Sequence, residues 1–213
     1  MDSNVQWHNE MVGKKAVAAL QKNKFSAAYF PDAPSAVEHL LSLVADGASV
    51  GLGGSITGHE ISIREKLREK GCTLFDHQQQ GLSPEESLAM RHNQLSCKVF
   101  ICGTNALTMQ GELVNVDGIG NRVGAMIFGP ERVIIVTGIN KIVKDLNAAQ
   151  QRIKDIAAPC NNKRLNLPNP CTQTGQCMDC QSDRRICNVT TILHRRPSLT
   201  DMHVIVIGES LGY

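Results

Sequence analysis

Between residues 9 and 22 apolar side chains recur three and four positions apart, with Val12, Ala16, Ala19 and Leu20 on one face, which predicts an amphipathic helix. The run FSAAYF (residues 25–30) follows as a first strand. Pro34 and Ser35 then open a helix in which Glu38 can complete a capping box with Ser35, and Leu40, Leu41 and Val44 supply its buried stripe. GASVGLGGSITGHEISIREKLREKG (residues 47–71) reads as a short apolar strand, a Gly-rich turn and a helix that Thr57 can cap with Glu60, closed by Gly71. CTLFDH (72–77) predicts another strand. In SPEESLAMRHNQLS (83–96) Ser83 is the cap, Pro84 the first helical residue and Glu86 the partner of a third capping box.

CKVFICG (97–103) reads as a buried strand, ELVNVDG (112–118) as a short extended piece after a turn at Gln110 and Gly111, and NRVGAMIFG (121–129) as a short helix. ERVIIVTG (131–138) is the most strand-like run. A long helix over residues 141–157 aligns Ile142, Leu146, Ala149, Ile153 and Ile156, and MHVIVIG (202–208) is the last strand. Strands separated by helices of this length predict an α/β fold with a mostly parallel sheet and helices on both faces, because parallel strands need long crossovers. A Cys-rich excursion at about 159–188 interrupts the alternation before the last strand, so the expected organisation is a single domain over residues 1–213 carrying that excursion.

Composition narrows the function classes. Of 213 residues, 42% are hydrophobic and 20% charged, ordinary values for a globular chain, and a net charge of +2 with only 4% aromatics argues against a nucleic-acid partner. The first 25 residues lack the continuous apolar core of a signal peptide, and no stretch approaches the ~18 apolar residues of a membrane span. A cytoplasmic location is expected. In a reducing cytosol clustered cysteines more often bind metal or do redox chemistry than form structural disulfides.

Four of the 8 cysteines, Cys171, Cys177, Cys180 and Cys187, fall in one short run with C-x5-C-x2-C-x6-C spacing. The C-x2-C element lets two sulfurs converge on one ion, and Gly175, Gln176 and Asp179 make the turns easy. Residues 152–196 hold Arg152, Lys154, Lys163, Arg164, Arg184, Arg185, Arg195 and Arg196 against Asp155, Asp179 and Asp183. Such guanidinium groups would lower thiol pKa values and stabilise a negative thiolate centre. Zinc and an iron–sulfur cluster both suit four thiolates, and the spacing matches neither a zinc ribbon nor the bacterial ferredoxin run. Cys160 could substitute for one ligand, whereas Cys72, Cys97 and Cys102 read as small core residues.

Two further stretches carry possible chemistry. In VGLGGSITGHE, Gly51, Gly53 and Gly54 precede Ser55 and Thr57 at a helix start, where backbone N–H groups favour an anion; a tight strand-to-helix turn accounts for the same residues. It is neither a Walker loop nor a dinucleotide fingerprint. In GTNALTMQGELVNVDGIGN, Asn105, Glu112, Asn115, Asp117 and Asn121 follow a buried strand, and Gly-rich turns are built from the same residue types. Ligands of open α/β sheets sit outside the carboxyl ends of the strands, so both stretches can share one pocket.

GLGGSITGHEI, NALTMQGELVNVDGIGNRVGAMIFGPERVIIVTGINKIV, CTQTGQCMDCQSDRRIC and the closing HVIVIGESLGY together resemble the lactate-utilization (LUD) domain family, over residues 7–213. The resemblance implies a Rossmann-like fold of the superfamily of glucosamine-phosphate deaminase, ribose-phosphate isomerase and CoA transferase-like proteins. Relatives act with iron–sulfur oxidoreductase partner proteins in oxidising lactate to pyruvate. In the isomerase branches a catalytic Asp stands where this chain has Asn105, which cannot take a proton at neutral pH, leaving Glu112 or Asp117 as catalytic candidates. The glutamate motif of the CoA transferases is absent. The expectation is a subunit or accessory of an organic-acid oxidation system, with a small anionic metabolite at Gly51, Gly53, Gly54, Ser55, Thr57, Asn115 and Asn121. A stand-alone enzyme or sensor for a phosphorylated or CoA-linked molecule, with structural zinc, is the alternative, and an assembly protein with a vestigial pocket a third.

Overall fold

The computed structural model describes residues 2–213. Helix α1 (Ser3–Lys22) starts six residues before the apolar repeat does, because the Asp2 carboxylate accepts from the N–H groups of Asn4 and Val5 and so satisfies the orphan donors of the first turn. β1 (Ser26–Phe30) and α2 (Ala33–Ser42) follow. The cap of α2 is Asp32 and not Ser35: the Asp32 carboxylate accepts from the Ser35 N–H at 2.9 Å and from its hydroxyl at 2.7 Å. A carboxylate accepts more strongly than a hydroxyl, which leaves Ser35 inside the first turn.

β2 (Ser49–Leu52) runs into the Gly-rich turn, and the helix expected after it is two: α3 (Ile56–Glu60) and α4 (Ile63–Glu69). They break at Ser62, which has φ +54°. Ser55, not Thr57, caps α3, its Oγ accepting from the Gly58 N–H at 3.3 Å. Thr57 is already inside the helix and fully buried. β3 (Thr73–Asp76), α5 (Pro84–Gln94) and β4 (Val99–Gly103) come next, and the Ser83–Glu86 capping box on α5 is reciprocal as expected.

β5 (Ala106–Thr108), β6 (Leu113–Asp117), α6 (Asn121–Ile127), β7 (Arg132–Gly138) and β8 (Ile142–Val143) precede α7 (Leu146–Arg152), so the first residues of the expected 141–157 helix are a 3₁₀ turn and a strand. Asp145 supplies the cap that starts α7. From Ile153 to Ala157 the helix widens to i→i+5 bonding before α8 (Ala158–Arg164). Pro159, which lacks an N–H and would crowd the carbonyl four residues back, is the local cause. Helical structure thus continues into the excursion as far as Arg164. α9 (Cys171–Thr174), β9 (Val189–Leu193) and β10 (Asp201–Ile207) complete the chain.

Six strands form one parallel sheet in the order β1-β10-β7-β4-β2-β3, and β8-β5-β6-β9 form a smaller mixed sheet. Alternation along the central strands feeds two cores. Phe100, Val133, Ile135, Val204 and Val206 face α1, α6 and the small sheet, while Val99, Ile101, Ile134, Val136, Ile205 and Ile207 face α2 and α4. α7 covers the small sheet through Ala149 and Ile153 against Ala106 and Val114. The chain leaves β2 toward β3 and leaves β4 toward β7, so the crevice outside the carboxyl ends of β2 and β4 is the switch point where open α/β sheets bind ligands.

Candidate functional site

A cleft of about 380 Å³ opens at that switch point. Gly53, Gly54 and Ser55 after β2, His77 and Gln78 after β3, and Thr104 and Asn105 after β4 form one side, with Asp117, Asn121, Arg122, Lys141, Arg164 and Arg91 around them. The glycines have structural reasons. A Cβ on Gly53 would stand 2.7 Å from the Cβ of Cys102, and Gly54 has φ +71° with Gln78 against it. Gly51 lies inside β2, where a Cβ would meet Cys97, Phe100 and Gln94 at 3.0–3.1 Å, and does not line the cleft.

Arg122, which the sequence reading passed over, organises the wall. Its NH1 donates to the Gly103 carbonyl at 3.2 Å and to Asn115 Oδ1 at 2.8 Å, and its NH2 to Asn105 Oδ1 at 3.1 Å and the Val116 carbonyl at 2.8 Å. Its Nε lies 3.6 Å from Asp117 Oδ2. Asn115 is fully buried beneath it, accepting also from the Asn105 N–H at 3.3 Å. Asn105 in turn accepts from the Val116 N–H at 2.9 Å. This web clamps β4 to β6. Asn105, Asp117 and Asn121 line the cleft, whereas Asn115, buried beneath Arg122, does not. Nor does Glu112: it sits on the β5–β6 turn, bonded to Thr108 at 3.1 Å and to His194 at 2.7 Å, away from the cleft.

Gln94, also unforeseen, is completely buried and donates through Nε2 to the Leu52 and Phe75 carbonyls, each at 2.9 Å, and the same nitrogen lies 2.9 Å from His77 Nδ1. The two carbonyls fix which end of the amide is the nitrogen and take both of its protons. Burial first, and then the Arg91 charge, lower the His77 pKa and hold it neutral. Thr57 lies behind the cleft, accepting from Lys141 Nζ at 2.9 Å.

The lining carries Arg91, Arg122, Lys141 and Arg164 against a single side-chain carboxylate, that of Asp117. Arg122 is spent within the wall, and Arg164 holds Asn161 Oδ1. Arg91 is not saturated: NH1 bonds the Ser87 carbonyl and hydroxyl, while Nε is buried without a partner. The electrostatics suit an anion. A second, more apolar cavity of about 430 Å³ adjoins across Gly53–Ile56, walled by α3, α4, Asp76 and Ile101.

Cys171, Cys177, Cys180 and Cys187 all border one small cavity of about 20 Å³, together with Asn169, Asp179 and Arg185. Asp179, at φ +45°, turns its N–H toward Cys177 Sγ at 3.4 Å, and Arg185 donates to the Cys180 carbonyl at 2.6 Å and the Cys187 carbonyl at 3.1 Å. All eight cysteines are free thiols, and among the described residues no three His, Cys, Asp or Glu side chains stand arranged as a metal site. Contrary to the expectation from the basic surplus, Cys171 and Cys187 have raised pKa values. Burial is the first cause and the neighbouring thiols the next; Arg185 opposes this at Cys187 without overcoming it. Cys160 is exposed on α8 and outside the cavity. Cys97 and Cys102 are core residues, with thiols pushed up to about 11 and about 12 by burial.

The thiol cavity and the cleft share a wall. Ile186, between Arg185 and Cys187, lines both. A Cβ on Gly118 would stand 3.2 Å from Ile186, and Asn188 bonds the Asp117 and Gly118 carbonyls, each at 3.0 Å, so the excursion is stitched onto the loop that carries Asp117.

A Rossmann-type sheet with a ligand crevice at its switch point defines the class. The LUD domain model matches residues 13–207, and the chain belongs to that family, which points to a role in lactate utilization. A DUF162 family protein from Deinococcus radiodurans has a similar fold, at TM-score 0.50 and 11% identity over 93% of this chain and 98% of that one. More distant is ribose 5-phosphate isomerase from Plasmodium falciparum, at TM-score 0.33 and 15% identity over 53% of this chain and 52% of its own. No curated protein matches significantly in sequence. No helix among the described residues is long and apolar enough to cross a membrane.

Proposed function

We propose that the chain is a subunit or accessory of an organic-acid oxidation system, lactate in the first instance, that holds a small organic anion in the cleft beside a four-cysteine metal centre. The observation that carries this reading is the shared wall at Ile186 between a cleft with four cations to one side-chain carboxylate and a cavity bordered by four thiols. Four sulfurs around one cavity, with an N–H already aimed at Cys177, fit the donor set of zinc or of an iron–sulfur cluster. Zinc would staple a segment with little core of its own, whereas a cluster would supply one-electron chemistry next to the anion.

The chain's own groups do the binding. Arg91 and His77, which line the cleft, are donors for a carboxylate, and Asp117 remains tied to Arg122 and the Val123 N–H, which keeps its charge out of the anion's way. The second cavity favours another reading, in which a longer phosphorylated or CoA-linked ligand runs past Ser55 into the apolar space.

Calorimetric titration of L-lactate, pyruvate, phosphate and coenzyme A separates them. The first reading expects a carboxylate to bind, with affinity falling as salt rises and about tenfold weaker in Arg91→Gln, as for loss of one charged hydrogen bond. Binding of coenzyme A alone supports the second reading, and no binding by any of the four sinks both.

A further inference from the structure

Lys141 follows β7 through the turn Ile139–Lys141 and reaches the cleft wall with only 3% of its surface exposed. Its Nζ donates to Thr57 Oγ1 at 2.9 Å, and the Thr57 hydroxyl proton goes to the Leu211 carbonyl at 3.2 Å, so Thr57 only accepts from the amine. Among the described residues no carboxylate pairs with Lys141. Glu60, the acid whose charge reaches it, accepts instead from the Gly212 N–H at 2.7 Å. Gly212 covers the amine closely, since a Cβ there would come within 3.2 Å of Nζ.

A buried ammonium with one neutral acceptor is poorly compensated. Burial, and then the charges of Arg152 and Arg122, lower the Lys141 pKa to about 8. At pH 7.5 about a quarter of such an amine is neutral, roughly two hundredfold more than for an exposed lysine. A desolvated amine beside other cations is the arrangement that activates lysine toward carbonyl carbon. The cationic cleft supplies the second half of the requirement, a negative charge on the ligand.

We propose that Lys141 is a carbonyl-reactive amine that forms an imine with an anionic carbonyl compound bound in the cleft, the anion resting on Arg91. This rests on the anion reading above. Unprotonated Nζ attacks the carbonyl carbon, the C–N bond forms, and the carbonyl π pair moves to oxygen, which takes up a proton while nitrogen sheds one. The carbinolamine then loses its hydroxyl and the remaining N–H proton as water, leaving C=N. No oxidant or reductant is consumed.

Two sources share this chemistry, a 2-oxo acid and a sugar phosphate. The full chain is incubated at pH 7.5 with pyruvate in one arm and glyceraldehyde 3-phosphate in the other. Each arm contains sodium cyanoborohydride, whose hydride reduces any imine to a stable amine, and peptide mass mapping locates the adduct. The expected result is labelling of Lys141 at least about tenfold above exposed lysines such as Lys14, in one arm or both, which names the source. Lys141→Arg keeps the charge and cannot form an imine, so calorimetric binding of that probe is expected to survive while the adduct is lost. Labelling spread over surface lysines with none enriched at Lys141, in protein that binds the probe, overturns the imine alone. Absence of calorimetric binding overturns the imine and the anion reading together.

Discussion

Replacing Arg122 by methionine keeps most of the stem and removes the guanidinium that joins β4 to β6. Four hydrogen bonds disappear at once, to the Gly103 and Val116 carbonyls and to the side-chain oxygens of Asn105 and Asn115. Asp117 loses its counter-charge while both side chains of the pair are 14% exposed. Removing one partner of a buried pair costs about 3–5 kcal/mol. Asp117 keeps the N–H groups of Gly118 and Val123, which places the loss toward the lower end. About 3 kcal/mol is a large part of the 5–15 kcal/mol that holds a domain folded. With a urea slope of about 3 kcal/mol/M, the unfolding midpoint should fall by about 1 M. Adding Asp117→Asn removes the stranded charge and should restore about 1 kcal/mol, a non-additivity that a double-mutant cycle measures. A midpoint shift below about 0.3 M, or strict additivity, would refute the clamp.

Lys141→Met should change the pH dependence of stability. The folded pKa of about 8 lies below the ordinary 10.5, so between those values the unfolded chain binds more protons and stability contributed by this site rises with pH. The methionine variant should gain about 3 kcal/mol over wild type near neutrality and lose that advantage by about pH 10.5; a pH-independent difference in urea midpoints would contradict it. Gly129→Ala puts a Cβ 2.1 Å from the Leu95 carbonyl oxygen at φ +124°, so the melting temperature should drop by well over about 5 °C, and an unchanged value would contradict the backbone packing there. Glu112→Gln, in a pair whose histidine is 65% exposed, should alter stability by less than about 1 kcal/mol and leave calorimetric pyruvate binding unchanged; weaker binding would return Glu112 to the site.

The parallel sheet was legible because its central strands are buried on both faces and read as continuous apolar runs, as RVIIVTG and VFICG do. The small sheet was not. β8 has two residues and β5 three, too few for a period, and β9 (VTTIL) has no clean alternation of polar and apolar residues and follows directly on the cysteine run. Capping at Asp32 and Ser55 was misplaced by two or three residues, since Ser, Thr and Asp all qualify in sequence and tertiary position chooses among them.

Within the candidate site, the Gly-rich turn and the Asn-rich loop were recognisable from composition, and Gly53, Gly54, Ser55, Asn105, Asp117 and Asn121 of those stretches line the cleft while Gly51, Thr57 and Asn115 do not. Arg122, Gln94, His77 and Lys141 carried no local signal. Each is a single polar residue in an ordinary helix or turn, and its importance comes from strands that arrive from elsewhere: Gln94 by reaching Leu52 and Phe75, Lys141 by meeting Thr57. The junction at Ile186 was equally hidden, because only the folded excursion brings it against Gly118.

The proposed function turns on a metal held by the four cysteines beside the anion cleft. Metal and acid-labile sulfide analysis of anaerobically purified protein, run beside Cys177→Ser, tests it. Stoichiometric zinc, or iron with sulfide, is expected in the wild type and its loss in the variant. Wild-type protein that binds neither metal would contradict it.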